Sequence, residues 1–469
     1  MEILEKLKQI VGPAHVLTGD MAAGYGRDWT GAYGSAPLAV LRPGTRDDAA
    51  AILRLAHDAR LPVVPVAGNT GLAGGTFAEG ALMISVERMN RIRDIRPGAR
   101  VAVVEAGVIL SALHDAAEAQ GLIFPLFFGA RGSAMIGGVL STNAGGSNVL
   151  RYGNTRALCL GLEVVLPDGR VMDLMGALHK DNTGYDLKDL FIGAEGTLGL
   201  ITAAVLKLMP KPRAHATAMV AVPALPDALT LLNRLQDETG GAVEAFEYMP
   251  ADYMARLAAC RPDLRPPFAT PHAVNILVEV GATAPRDALP LPDGSLPVVT
   301  HLEETLAAMM ADGAVLDAVV ARSEAQRAEI WERREAAAEI TFSRGPIVDS
   351  DIALPLDGVV PFLERMQVLL PRIDPGAETI TVGHLGDGNL HYAVWPSRDD
   401  AALKDAVRET VEDVVAALGG SFSAEHGIGL SKKSTMARRK DPVALAVMAQ
   451  IKAAFDPHGI MNPGKLLPE

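Results

Sequence analysis

Three glycine-dense stretches near the front of the chain constrain its fold more than any other feature. They are PVAGNTGLAGGT (Pro65–Thr76), SAMIGGVLSTNAGGSNVLRYGNTR (Ser133–Arg156) and KDNTGYDLKDLFIGAEGTLGLIT (Lys180–Thr202). Glycine lets backbone N–H groups turn toward an anion with no Cβ in the way. Any one stretch reads equally well as a set of surface turns. Three in one domain are hard to explain as independent turns, and together they suggest an extended, phosphate-rich cofactor held mostly by backbone groups. The first stretch loosely matches a dinucleotide fingerprint. No long amphipathic helix follows its glycines, however; TFAEGALMISV heads back into a strand, so the context of a Rossmann site is missing.

The chain has 469 residues, too many for one hydrophobic core, so two domains are expected. Hydrophobic residues make up 49% and no low-complexity block interrupts them, so the chain should fold throughout. The 46 glycines and 31 prolines fit an α/β enzyme with many tight turns. A net charge of −13 argues against a broad nucleic-acid surface and an anionic membrane face. Cys159 and Cys260 are the only cysteines, which fits a reducing compartment. The opening MEILEKLKQIVGPAH carries neither a secretory signal nor a transmembrane span, so a cytoplasmic enzyme is expected.

Periodicity gives the organisation. MEILEKLKQIV reads as an amphipathic helix. Leu38–Leu41 reads as a strand, TRDDAAAILRLAHDARL as a helix with Asp47 and Asp48 in its first turn, and Pro62–Val66 as the next strand. MISVERM and VAVVEAGV add strands, LSALHDAAEAQG is a helix closed by Gly121, and EVVLPDGRVMDL is a hairpin turning at Asp168-Gly169. GLITAAVLKLMP closes a first domain near Pro210. Beyond it, HATAMVAV and AVNILVEVG read as strands, about 301–312 and 323–341 as helices, and IVDSDIALP, TITVGHLGDGN and LHYAVW as strands or strand edges. A helix closed by Gly419 follows.

The stretch HLGDGNLH holds His384 and His391 seven residues apart. Two internal glycines argue against a helix, and a continuous strand would put the two on opposite faces. Asp387-Gly388 is a turn signal, so two strands joined by a tight turn would bring the imidazoles side by side. SAEHGIG offers Glu425 and His426. Two histidines and one carboxylate suit Zn²⁺, Mn²⁺ or Fe²⁺ acting as a Lewis acid. The bland alternative, packed or hydrogen-bonded histidines, stays open on spacing alone. His426 is also a candidate general base, because a neutral histidine can take a hydroxyl proton near pH 7; otherwise it only hydrogen-bonds its loop. His15, His57 and His458 read as surface or structural. IWERREAAAEI supplies Arg333 and Arg334 for a substrate carboxylate, unless both face water or pair with Glu332 and Glu335.

Taken jointly, the glycine loops, GHLGDGNLH, SAEHGIG and the terminal NPGK resemble the vanillyl-alcohol oxidase / p-cresol methylhydroxylase flavoprotein superfamily over nearly the whole chain. The branch it most resembles holds FAD-dependent D-2-hydroxyacid dehydrogenases, which include D-lactate and D-2-hydroxyglutarate dehydrogenases and the D subunit of glycolate oxidase. The resemblance implies an α+β fold: a two-part FAD-binding domain of p-cresol methylhydroxylase type plus an inserted α/β substrate, or cap, domain with an antiparallel sheet. The expected spans are 1–212 for the FAD domain, 213–420 for the cap and 421–469 for a C-terminal segment packing back on the FAD domain.

It further implies that Gly68, Asn69, Thr70, Gly71, Leu72, Gly74 and Gly75, after Pro65, wrap the FAD pyrophosphate. Ser133, Ile136, Gly137, Gly138, Ser141, Asn143, Gly145 and Gly146 would line the flavin and ribityl chain, with Pro125 and Gly153 nearby. Glu195, Gly196, Gly199 and Ile201 would lie toward the adenosine half, and Asn462 would come from the terminal motif. No histidine or cysteine occurs from Pro62 to Thr76, so FAD is expected to be non-covalent. His384, His391 and Glu425 become metal ligands (zinc, or manganese or iron), Arg334 the substrate arginine and His426 the base.

The implied reaction is oxidation of a small D-2-hydroxy acid to the 2-oxo acid by hydride transfer from C2 to flavin N5. An electron-transfer flavoprotein, a quinone or a cytochrome would then take the electrons, and a homodimer is compatible. The alternatives are a flavin oxidase of another alcohol or lactone, or a flavin-carrying subunit of an oxidase complex. Three residues depart from the D-2-hydroxyglutarate branch: Asp349 replaces a lysine, Ala338 a hydroxyl residue and Ala393 an asparagine. They favour a monocarboxylate such as D-lactate or a longer D-2-hydroxy acid.

Overall fold

Thr45 shows how local chemistry starts the architecture. Its hydroxyl accepts from the Asp48 amide while the Asp48 carboxylate accepts from the Thr45 amide, a closed capping box at the start of helix Arg46–Ala59. The helix buries Ala49, Ile52, Leu53 and Ala56 and hands the chain to strand Val63–Val66. A computed structural model describes residues 2–468. It divides the chain into two units: Met1–Gly145 with Gly153–Pro210 and Glu425–Glu469, and Gly146–Tyr152 with Lys211–Ala424. The short segment 146–152, read from sequence as part of the first domain, therefore belongs with the second unit.

In the first unit, strands Ala39–Leu41 and Val63–Val66 flank Leu82–Ser85 in parallel, and Val16–Leu17 adds an antiparallel edge. A second, antiparallel sheet has five strands in the order Ile92–Arg96, Val101–Glu105, Leu200–Lys207, Cys159–Val165, Val171–Leu174. The hairpin at Asp168-Gly169 is present, with Gly169 at φ 80°. The C-terminal segment returns to the parallel sheet: the Val63 amide donates to Ile460 O and the Asn462 amide to Val63 O, each at 2.7 Å.

The second unit is built on a seven-stranded antiparallel sheet. Its order is Asp317–Val320, Ala214–Val222, Val274–Ala282, Val243–Pro250, Glu378–His384, Asn389–Trp395, Val348–Ala353. One face packs on helices Leu225–Thr239, Pro297–Ala311, Val359–Ile373 and Ala401–Ala417 through a large apolar cluster. The other carries helices Ala251–Cys260, Glu324–Glu335 and Ala337–Thr341 over a smaller one.

Several elements differ from the sequence reading. The helix expected at 323–341 breaks at Ala336 into two. The helix expected from about 301 begins at Pro297, whose missing N–H costs nothing in a first turn. Strand Val243–Pro250 was not anticipated, because its buried Glu244 and Glu247 give AVEAFEYMP the look of a wet surface. Helix Val359–Ile373 was hidden by Pro371 inside its last turn. No helix among the described residues is long and apolar enough to cross a membrane.

Candidate active site

The first unit gathers its glycine loops into one cradle. Gly68 packs so closely that a Cβ would overlap the Ser133 carbonyl oxygen. Gly138 faces the Ala67 methyl group, and Gly196, at φ 72°, faces the Pro65 ring. Four non-glycine residues of these loops, Asn69, Asn143, Glu195 and Asn462, hold positive φ values of 53°, 51°, 51° and 41°. Left-handed backbone is costly for residues with a Cβ, and such strain clusters at ligand sites.

Side chains then tie the loops together. Asn462 Nδ2 donates to Gly75 O at 3.0 Å and Glu195 O at 2.7 Å, while its buried Oδ1 has no partner among the described residues. Glu195 accepts the Ile428 and Gly429 amides at 2.7 and 2.8 Å, which pins the AEHGIG segment. Burial pushes the Glu195 carboxyl above its usual range, outweighing those two N–H groups. Gly145 faces the Glu425 carboxylate, so the candidate ligand stands beside the second glycine loop.

The residues present fit FAD: strained loop residues converge here, Gly71 and Gly75 leave space where a Cβ would stand, and Asn462 Oδ1 is an orphaned amide oxygen. Not every named residue is an open donor. Gly137 is explained by contact with Ala106 and Gly199 by contact with Val164 and Phe191. Ile136, Pro125 and Ile201 are buried packing residues. Ser141 Oγ donates to Gly137 O at 2.7 Å. Gly71 and Leu72 lie exposed, Thr70 partly so. Gly146 and Gly153, at φ 148° and 78°, bracket the segment that joins the second unit.

The second unit gathers charged side chains on one sheet face. HLGDGNLH forms the expected hairpin: His384 pairs with Asn389, His391 pairs with Val382, and Gly388 turns at φ 79°. Positions 382 and 384 share a face, so the two imidazoles meet diagonally, with centroids 5.6 Å apart and planes at 79°. His384 also sits opposite Glu247 on the neighbouring strand. Its Nδ1 lies 2.9 Å from Glu247 Oε1 and 2.8 Å from Oε2. Arg334, from helix Glu324–Glu335, donates through Nε to Glu247 Oε2 at 2.8 Å.

Burial alone would raise the fully enclosed Glu247 carboxyl, but Arg334 and His384 beside it hold it below the usual range. A carboxylate that already accepts from Arg334 Nε is the acceptor toward His384 Nδ1 as well, and a neutral imidazole donating there carries its lone pair on Nε2. That is the tautomer a cation requires, and carboxylate–histidine–metal chains are built this way. The histidine pair therefore fits a divalent cation. On the next strand, Asp351 lies opposite His391, 3.9 Å from its Nδ1.

Arg334 Nη2 is buried with no hydrogen-bond partner among the described residues. Among the described residues neither arginine pairs with Glu332 or Glu335. Arg333 is buried against Glu329 and Arg265 O, and Arg334 turns to Glu247. Glu247 is the residue of this charged cluster that sequence reasoning missed. The three departures fall in different settings: Ala338 is exposed, Asp349 is exposed opposite Ala393, and Ala393 is buried in the apolar cluster. A second group, His215, Glu244 and Glu279, could hold an ion by spacing. Its carboxylates are already engaged by Arg151, Tyr152, Arg327 and Trp331, which makes it an ion-pair network.

Comparison with known proteins gives the family. Residues 37–175 match an FAD binding domain, and residues 211–466 match the C-terminal domain of FAD linked oxidases. The chain is 35% identical over 473 residues to D-2-hydroxyglutarate dehydrogenase of Stutzerimonas stutzeri, covering 99% of this chain and 98% of that protein. It is 38% identical over 448 residues to the mitochondrial D-2-hydroxyglutarate dehydrogenase of Bos taurus, covering 94% and 79%. Among solved structures, p-cresol methylhydroxylase with substrate bound superposes with a TM-score of 0.74 at 17% identity, over 100% of this chain and 96% of that one, which establishes the fold. With both domains matched and the cradle formed, the chain belongs to the FAD-linked oxidase family of flavin-dependent oxidoreductases.

Proposed function

We propose that this chain is an FAD-dependent dehydrogenase that oxidises a D-2-hydroxy acid to the 2-oxo acid. The observation that carries the reading is Arg334 Nη2, buried and unpartnered on the sheet face that also presents His384 and His391. A buried donor without an acceptor is costly, and a carboxylate substrate supplies the acceptor. Names of relatives support the substrate class: those of Stutzerimonas stutzeri and Bos taurus act on D-2-hydroxyglutarate by their descriptions.

In this reading Arg334 holds and orients the substrate carboxylate. His384, His391 and Glu425 hold a divalent cation, zinc or otherwise manganese or iron. Glu425 is one peptide bond beyond Ala424, whose amide donates to Asp351 O on the strand paired with His391. The cation, when bound, supplies a Lewis acid that lowers the hydroxyl pKa. His426 takes the hydroxyl proton, on a segment kept in place by Glu195. FAD, when bound non-covalently in the cradle, supplies N5 as acceptor of the C2 hydride. An electron-transfer flavoprotein, quinone or cytochrome then takes the electrons.

Anaerobic bleaching of the purified flavoprotein tests this. The panel holds D- and L-lactate, D-2-hydroxyglutarate, D-malate, glycolate and longer 2-hydroxy acids. Bleaching by D-acids alone is expected. A monocarboxylate as best substrate would assign the exclusion of dicarboxylates to Asp349; D-2-hydroxyglutarate as best would show that Asp349 does not block the second carboxylate. A flavin that dithionite reduces but no panel member bleaches would overturn the reading.

A further inference from the structure

Resting on that reading, we propose that Glu247 is the positioning residue that couples the cation site to the substrate arginine. It touches neither the substrate nor the cation; it acts through His384 and Arg334. Its side chain is fully buried between the two, and its oxygens accept from His384 Nδ1 and Arg334 Nε. One carboxylate thus fixes two things. It sets the His384 tautomer, which leaves the Nε2 lone pair for a cation. It also occupies the Nε edge of Arg334, which leaves Nη2 as the buried donor for a carboxylate.

A merely structural clamp is available for comparison on the same helix and the same sheet face. Glu279 accepts Arg327 through Nε at 2.8 Å and Nη2 at 2.7 Å, and also Trp331 Nε1 and Thr217 Oγ1. Arg327, Trp331 and Arg334 recur at helical spacing, so Glu279 already fastens this helix to the sheet. Glu247 is not needed for fastening alone. Its two neighbours are instead a candidate ligand and a candidate substrate contact, and a shared charge makes their energies interdependent.

The test uses the full-length flavoprotein stripped of metal and titrated with Zn²⁺ against a chromophoric chelator, with KM and kcat measured on the best panel acid. Glu247→Gln is expected to weaken Zn²⁺ binding about tenfold to a hundredfold and to raise KM. Glu279→Gln is expected to lower the melting temperature and leave Zn²⁺ affinity unchanged. Should Glu247→Gln fail to fold, Arg334→Met decides. Removing a cation from the far side of Glu247 should tighten Zn²⁺ binding by roughly threefold or more, although Arg334 is no ligand.

Unchanged Zn²⁺ affinity in Glu247→Gln or, failing that, in Arg334→Met overturns the coupling while the dehydrogenase reading stands. Equal losses in Glu247→Gln and Glu279→Gln reduce Glu247 to a structural clamp. A wild-type protein that binds no Zn²⁺, Mn²⁺ or Fe²⁺ overturns the coupling and the metal part of the reading together. Bleaching by the acid panel then reports separately on the reaction class.

Discussion

The two units place polar groups in their interiors by opposite means. The first uses backbone: glycines, left-handed loop residues and one orphaned amide oxygen around a cradle. The second uses ionised side chains, with Glu247 and Glu279 buried beneath arginines from one helix. Their carboxylates are correspondingly pushed in opposite directions. Burial raises Glu195 in the cradle, whereas arginine and histidine neighbours hold Glu247 and Glu279 low despite burial. A backbone-built site tolerates changes in charge and not in volume. A site built from charges should show the reverse.

The largest expected effect lies in the second unit. Arg334→Met keeps volume and removes charge, and should lower kcat/KM by about 10²–10³-fold, the value of a buried charged hydrogen bond, with flavin content unchanged. A variant with wild-type kcat/KM would show that Nη2 holds no carboxylate. Next comes Arg327→Met, which leaves Glu279 buried without its main partner and should cost about 3 kcal/mol of stability, read by denaturant unfolding. In the cradle, Gly68→Ala introduces one methyl group against the Ser133 carbonyl. It should cost about 1–3 kcal/mol and lower the flavin-to-protein absorbance ratio, with little change in KM for protein that keeps its flavin. If Gly68→Ala binds flavin normally, the backbone approach there is not part of the cradle.

The smallest effect is in pH dependence, and its sign separates the two units. Glu279 has a depressed folded-state pKa. Its contribution is full above the ordinary glutamate value of about 4.3 and is lost as pH falls through the folded value. Glu195 is raised, so its contribution is present below the ordinary value and lost as pH rises through the folded one. Glu279→Gln should therefore hurt more at pH 7 than at pH 4, and Glu195→Gln less at pH 7 than at pH 4. Unfolding curves at the two pH values that move together would remove the distinction.

The same contrast governs what could be read from the sequence. A backbone-built cradle announces itself, because a position that must admit a carbonyl at van der Waals distance, such as Gly68, can only be glycine. The hairpin at Asp387-Gly388 was legible for a similar reason: turn chemistry is local. Glu247 was not. It lies 137 residues from His384, and only the strand order brings the two together. A buried glutamate in a strand also looks like a solvent-facing one until its arginine is known. Arg334 could be named from the sequence, but its orientation away from Glu332 and Glu335 required the helix to pack on the sheet.

Segment Gly146–Tyr152 has a consequence for domain exchange. The chain passes between the units at Gly145, Tyr152, Pro210 and Ala424. Arg151 and Tyr152 from the short excursion both bond Glu244, which is 3% exposed. A chimera that exchanged 211–424 alone would strand that carboxylate, or confront Arg151 with a foreign one. Exchanging the second unit intact therefore means moving two pieces at once, 146–152 together with 211–424.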